Sequence, residues 1–231
     1  MFKTRSDKLE FIDTGDYTPE EYAGCLAELR RVNRWLGDET ALKNSLLREI
    51  KEKNLKEFSV LDVGAGSGEL LREISGFARK QNRKARLYGL DLNERSAYAI
   101  LEESKNFAEI KSIQANALLL PFADKSFDYA ISSLFTHHLS DENIVKTLME
   151  MKRVTRRKIF IIDLHRHRTA YALYKIFCAA FRISPLVRED GSLSILRSFK
   201  PDELRALAEQ ANLENISVER YFPFRLVLSG G

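Results

Sequence analysis

A chain of 231 residues, 44% hydrophobic and 30% charged, has the composition of a soluble globular protein and the length for one sizeable domain with its own core. The start, MFKTRSDKLEFIDTG, holds no apolar run of signal-peptide type. No segment approaches the ~20 apolar residues that span a bilayer, so a cytoplasmic protein without a membrane span is expected.

In chain order, TPEEY places Thr18 as an N-cap, Pro19 at the first helical position and Glu21 three residues after Thr18, which is a capping box. A helix is expected from there to about Leu36 and Gly37, and a second from about Glu39 to Lys53. Residues 1–57 are thus read as an N-terminal helical extension and 58–231 as the main domain.

From Phe58 onward short apolar runs alternate with longer amphipathic ones. FSVLDV, ARLYGLDL, EIKSIQAN, FDYAISSL and KIFIIDL read as strands. GELLREISGFARKQ, RSAYAILEESKNF and DENIVKTLMEMKRV read as the helices between them. An apolar helix, TAYALYKIFCAAF, a polar segment from Pro185 to Lys200, a helix opened by Pro201, and a terminal hairpin of ISVER and RLVLS complete the pattern. The expected fold is α/β: a Rossmann-like, doubly wound, mostly parallel sheet of about seven strands with helices on both faces.

Cys25 and Cys178 lack the paired spacing of a zinc site and read as structural thiols. No metal is expected. The basic runs RKQNRKAR (79–86) and KRVTRRK (152–158) fall at predicted helix C-termini, where cations complement the helix dipole.

VLDVGAGSGELL raises the question of what Gly64, Gly66 and Gly68 admit at a strand-to-helix turn. A dinucleotide fingerprint needs its third glycine one position later, where Glu69 stands, and a glutamate at a helix N-terminus opposes a pyrophosphate. A ligand carrying an ammonium and a sulfonium, S-adenosylmethionine (SAM), tolerates such acids, and Asp62 is placed to attract its ammonium. Asp91 closes the second strand 23 residues beyond Gly68, near the ~20-residue offset at which an acid meets ribose hydroxyls.

VLDVGAGSGEL and GLDLN resemble the first and second motifs of the class I SAM-dependent methyltransferases, and QANALLLPFADKSFDYAISSL is similar to their segment past the adenine. The resemblance covers about residues 58–163 closely. It implies SAM as cofactor and S-adenosylhomocysteine (SAH) as product, with Asp62, Gly64, Gly66, Gly68, Asp91 and Leu92 around the methionine and ribose. Asn116, Ala117 and Leu118 would surround the adenine, and Ser132 would lie at the end of the fourth strand. Many relatives carry aspartate at the position of Asn116; the asparagine carbonyl can accept the same hydrogen bond from the adenine amino group.

Ligands of open α/β sheets sit outside the carboxyl ends of the strands, and His137, His138, His165 and His167 all follow the fourth and fifth strands. A histidine there can take the proton of a hydroxyl acceptor. His165 is the first choice for that base and His137 the second; capping and surface exposure explain loop histidines equally well. Asp163 could orient a histidine, and Arg166 and Arg168 could hold an acidic substrate group.

The apolar helix 169–181 fits a lid over an apolar or aromatic substrate, core packing or a homodimer contact. The leading reading is therefore a methyltransferase acting on a small aromatic or polyketide-like hydroxyl compound. DLHRHRTAYALYKI, PDELRALAEQANL and YFPFRLVL carry a looser resemblance to bacterial methyltransferases of type III polyketide pathways. Alternatives are a quinone-type C-methyltransferase, an RNA methyltransferase and a non-catalytic SAM-binding partner. Nucleic acid is disfavoured, because SSLFTHH replaces the Asn/Asp-Pro-Pro-aromatic run of base amine methylation.

Overall fold

The structure, a computed structural model, describes residues 2–14, 17, 18, 20, 21, 24, 25, 28, 29, 32 and 36–231, with the backbone alone at residue 12. Glu21 N–H donates to Thr18 Oγ1 at 3.2 Å and Thr18 N–H to Glu21 Oε2 at 2.8 Å, the reciprocal pair of a capping box. The described residues from 20 to 32 are helical; Pro19, read as the first helical residue, lies outside the described residues. Helix α1 occupies residues 38–52 as Asp38–Leu42, Lys43–Leu47 and Arg48–Glu52, with a wider π turn in the middle piece.

The main body alternates as expected. Strand β1 (Glu57–Val63) leads to α2 (Glu69–Lys80), β2 (Lys84–Asp91), α3 (Glu94–Glu103), β3 (Ile110–Gln114) and β4 (Phe127–Ser133). Then follow α4 (Asp141–Val154), β5 (Thr155–Leu164), α5 (Arg168–Ala180), α6 (Pro185–Arg197), α7 (Pro201–Gln210), β6 (Ser217–Tyr221) and β7 (Arg225–Gly230). The seven strands lie in the order β3-β2-β1-β4-β5-β7-β6. β1 to β5 run parallel, while β7 pairs antiparallel with β5 and with β6. The terminal strands form the expected hairpin, with β7 inserted inside β6.

Strand order reverses between β1 and β4, so their carboxyl ends diverge and leave a crevice at the switch point. β1 can occupy the centre because six consecutive residues, Phe58 to Val63, are buried, which only a strand covered on both faces tolerates. α2 faces the sheet with Leu71, Ile74, Ser75 and Ala78 at helical spacing. Asn93 and Ser140 cap α3 and α4 by accepting from the N–H groups of Arg95 and Asn143.

The polar segment 185–200 departs from expectation: Pro185–Arg197 is helical. Ser184 caps it and Pro185 takes its first turn. Its buried face includes Asp190, Ser192 and Arg197, so no apolar stripe marks it in the sequence. α5 buries Ala170, Tyr174 and Cys178, one per turn, in a cluster with α6 and with Cys25 and Val32 from the N-terminal extension. Cys25 and Val32 thereby pack against the two helices that follow β5.

Each basic run starts at a helix end, with Arg79 and Lys80 in the last turn of α2 and Lys152 and Arg153 in that of α4, and then runs on into β2 and β5. Arg79 forks onto Glu109 at 2.8 and 2.9 Å, and Arg153 pairs with Glu150 and Asp124. Among the described residues no helix is long and apolar enough to cross a membrane.

Candidate active site

A cavity of about 390 Å³ opens at the switch point. Its floor is the turn after β1. Gly64 N–H and Ala65 N–H both donate to the Leu90 carbonyl, at 2.8 and 3.0 Å, which folds the turn across the end of β2. Gly64 has φ +73° and a Cβ there would overlap the Phe135 ring, so only glycine fits. Gly66 has φ +55° with open space where its side chain would be, leaving its backbone bare to a ligand.

Asp91 anchors this turn: its Oδ2 accepts from Gly66 N–H and its Oδ1 from Asn93 N–H, both at 2.9 Å. Burial raises its pKa against those hydrogen bonds. Asp62 is buried with one oxygen lacking any partner. Burial, helped by the Asp91 charge, pushes its pKa up to about 7. An orphaned buried carboxyl beside a bare glycine turn suits a cationic group that can supply the missing donor.

The charge of the wall agrees. Glu39, Asp62, Glu69, Glu73 and Asp91 line this end, whereas Arg225 is the one arginine or lysine among the described lining residues and is paired with Asp38. A dinucleotide pyrophosphate would face uncompensated acids here; a ligand with an ammonium and a sulfonium would not.

Other residues expected around the cofactor sit differently. Gly68 is the N-cap of α2 with φ +76°, behind the cavity wall. Leu92 is 67% exposed at the end of β2. Asn116, Ala117 and Leu118 form a turn after β3 that does not line the enclosed cavity, with the Asn116 carbonyl accepting from Leu118 N–H at 2.9 Å. Ser132 is buried and donates to the Val63 carbonyl at 2.7 Å, so its hydroxyl stitches β4 to β1; Ser133 is the residue in the wall.

The opposite end of the cavity holds a buried polar assembly. His137, in the turn Thr136–His138, directs Nδ1 to Asp163 Oδ1 at 2.7 Å, while Thr136 Oγ1 and His137 N–H donate to Asp163 Oδ2. Burial works to raise the Asp163 pKa, but the charge of His137 and the hydrogen bonds from His137, Thr136 and Leu164 N–H outweigh it and hold the carboxylate at about 2. Asp163 thus fixes the His137 ring with Nε2 free of a hydrogen bond from the described residues.

Glu10 approaches from the N-terminal segment, its Oε1 at 3.7 Å from His137 Nε2. His138 Nδ1 bonds Asp13 Oδ1 at 2.7 Å, and Arg197 ties the assembly through the carbonyls of His137, His138 and Lys8 and through Asp13. Glu10, His137 and His138 bring one ligand atom each within 4.8 Å. Both imidazoles hold a carboxylate at Nδ1, which leaves Nε2 as the open nitrogen of each ring among the described residues.

The first-choice base from sequence is placed elsewhere. His165 does not line the cavity; its backbone bridges to Phe199 and its N–H donates to the Phe224 carbonyl. Burial and the charges of Arg220, His167 and Arg166 push its pKa down to about 4. His167 caps α5 through Nδ1, accepting from Thr169 N–H at 3.2 Å. Arg166, a candidate for an acidic substrate group, is 2% exposed and committed to Glu203 and the Ser198 carbonyl. Glu10, Asp13, Tyr174 and Ser194, all in the wall, carried no motif; only chain tracing brings them to the histidines.

A parallel sheet with this strand order, a glycine turn over an acid at the end of β2, and an acidic crevice at the switch point define a nucleoside-binding methyltransferase architecture. The comparisons agree. A family model described as a methyltransferase domain matches residues 61–162. The chain is 28% identical to ubiquinone/menaquinone biosynthesis C-methyltransferase UbiE of Enterobacter sp. (strain 638), over 68% of this chain and 67% of that one. It is 25% identical to demethylmenaquinone methyltransferase of Bacillus licheniformis, over 73% and 75% of the two chains.

A SAM-dependent methyltransferase from Aquifex aeolicus superposes with a TM-score of 0.61 at 20% identity, covering 93% of this chain and 98% of that one. PigF with SAH superposes with a TM-score of 0.67 at 13% identity, covering 97% and 62%. The chain thus carries a methyltransferase domain at residues 61–162 on the fold of the SAM-dependent methyltransferases. It is an enzyme whose cofactor is SAM.

Proposed function

We propose that this enzyme transfers the SAM methyl group to the hydroxyl of a small aromatic acceptor, with His137 as the base. The observation that carries the reading is the buried Asp163–His137 pair, whose Nε2 has no hydrogen-bond partner among the described residues and whose ring is part of the cavity wall. When bound, SAM supplies a methyl group on a sulfonium, and SAH leaves as the neutral thioether.

The acceptor hydroxyl loses its proton to His137 Nε2 as its oxygen bonds the methyl carbon, and the resulting imidazolium faces the Asp163 carboxylate. A phenol, with a pKa near ~10 as in tyrosine, needs only modest help to ionise. Leu29, Val32, Leu36, Leu164 and Ile195 give the same end of the cavity an apolar wall suited to a ring. For the cofactor we propose the ammonium at Asp62, the ribose at Asp91 and Leu92, the backbone of 64–68 beneath them, and the adenine at Asn116, Ala117 and Leu118. Ser132 supports that wall from within the sheet.

The names of the quinone C-methyltransferase relatives favour a second reading, in which the ring carbon beside the ionised oxygen takes the methyl group. The same base serves both. Incubation with labelled SAM and a panel of phenols and hydroquinones, followed by mass spectrometry of the product, separates them; labelled ether supports the first, and labelled ring carbon the second. Normal turnover in His137→Ala would remove the base assignment from both.

A further inference from the structure

Glu10 is a group the methyl-transfer reading does not use. It is 3% exposed, lines the cavity, and is held by the protein on one side only: Oε2 accepts from Ser194 Oγ at 2.7 Å. Oε1 is buried with no hydrogen-bond partner. Its neighbours stand beyond hydrogen-bond reach, His137 Nε2 and Arg197 Nε at 3.7 Å and His138 Nδ1 at 4.0 Å. Native proteins rarely leave a buried acceptor unpaired, and where they do a ligand is a common explanation.

The segment carrying Glu10 is fastened in place. Glu10 N–H donates to Asp13 Oδ2 at 3.2 Å, Phe11 N–H to Asp190 Oδ1 at 2.8 Å, and Arg5 to the carbonyls of Arg197, His137 and Leu139. The 3.7 Å between Oε1 and Nε2 is therefore set by the fold. Two unpaired acceptors at that spacing call for two donors on one ligand. Hydroxyls on adjacent ring carbons lie about one hydrogen-bond length apart, ~2.7–2.8 Å, so each can reach one acceptor without turning the ring. Hydroxyls in a meta relation exceed the 3.7 Å spacing by a similar margin and reach both acceptors as well.

We propose that Glu10 contacts the acceptor and reads a second hydroxyl ortho or meta to the reacting one, so that the preferred substrates are dihydroxylated aromatics. This rests on His137 being the group that meets the reacting hydroxyl. Glu10 is a specificity residue and takes no proton from the reaction.

The test compares catechol, resorcinol and phenol as acceptors for the full-length enzyme with saturating SAM, and measures binding of the same three compounds to the SAH complex by calorimetry. At pH 8, above the value of about 7 to which burial raises Glu10, one charge-assisted hydrogen bond predicts that kcat/KM and affinity favour catechol and resorcinol over phenol by about 10- to 100-fold. In Glu10→Leu, which removes the acceptor, the catechol-to-phenol ratio falls to within about threefold of one; an SAH titration shows that the variant is folded.

Equal preference in the wild type, or a ratio unchanged in Glu10→Leu, overturns the assignment. A catechol preference abolished by a chelator with Glu10 intact also overturns it, because a cation held by Glu10, His137 and His138 would then be the reader. If none of the three phenols is methylated, the hydroxyl reading fails by itself. The binding ratios then decide on Glu10, and equal affinities for catechol and phenol sink it.

Discussion

The two ends of the cavity are built on opposite principles. The proposed cofactor end is one continuous stretch, residues 62–69, and the acid closing the neighbouring strand; its key contacts are backbone N–H groups held by Asp91 and Leu90. The proposed acceptor end is assembled from four separate segments, contributing Glu10 and Asp13, His137 and His138, Asp163, and Ser194 and Arg197, which are joined almost wholly by side chains. A site built on backbone is encoded locally and tolerates few substitutions. One built from converging side chains can change specificity without disturbing the sheet.

Removing the proposed acceptor end should leave the cofactor end intact. His137→Ala and Asp163→Asn are expected to lower kcat by roughly 10²- to 10⁴-fold, while calorimetric SAH affinity changes less than about threefold. A parallel loss of SAH affinity would mean that the two ends are one unit. Conversely, Asp62→Asn or Asp91→Ala removes a charged partner at the cofactor end and should weaken SAH by roughly 10- to 100-fold. For Asp91→Ala part of that loss is the loosened Gly66 turn, visible as a lower melting temperature.

The raised pKa of Asp62, about 7, gives the comparison a pH signature. Its folded-state pKa lies above the ordinary carboxylate value, so the ligand-free protein holds a proton there that the unfolded chain has released. That contribution to stability declines as pH rises from about 4 to 7. Affinity for a cation moves the other way: SAH binding should strengthen by up to about tenfold between pH 6 and 8 as Asp62 ionises. In Asp62→Asn calorimetry should find this dependence largely gone.

Smaller effects sharpen the picture. Gly64→Ala must adopt φ +73° and displace Phe135, which should cost about 2 kcal/mol, read as a drop of several degrees in thermal unfolding. Phe135 adjoins the His137 turn, so kcat should fall with it. His165→Ala, outside the cavity, should leave turnover within about threefold of wild type in the labelled-SAM assay. A loss comparable with that of His137→Ala would return the base to His165.

The sequence by itself determined the doubly wound sheet, because apolar runs of strand length alternating with amphipathic helices can bury their faces in few other ways. It also made the glycine turn and the acid at the next strand end legible, since glycine spacing, Glu69 in the place of a third glycine and Asp91 are local patterns with local causes. The helix Pro185–Arg197 was hidden because its buried face is polar and satisfied by Glu10, Phe11 N–H and Asp13 from the far end of the chain. Only the tertiary structure chose among the histidines: four follow the same two strands, but just His137 has Asp163 beneath it and a buried carboxyl across from it. Long-range side-chain pairing leaves no period or spacing in the sequence, because the partners meet only after the sheet has formed.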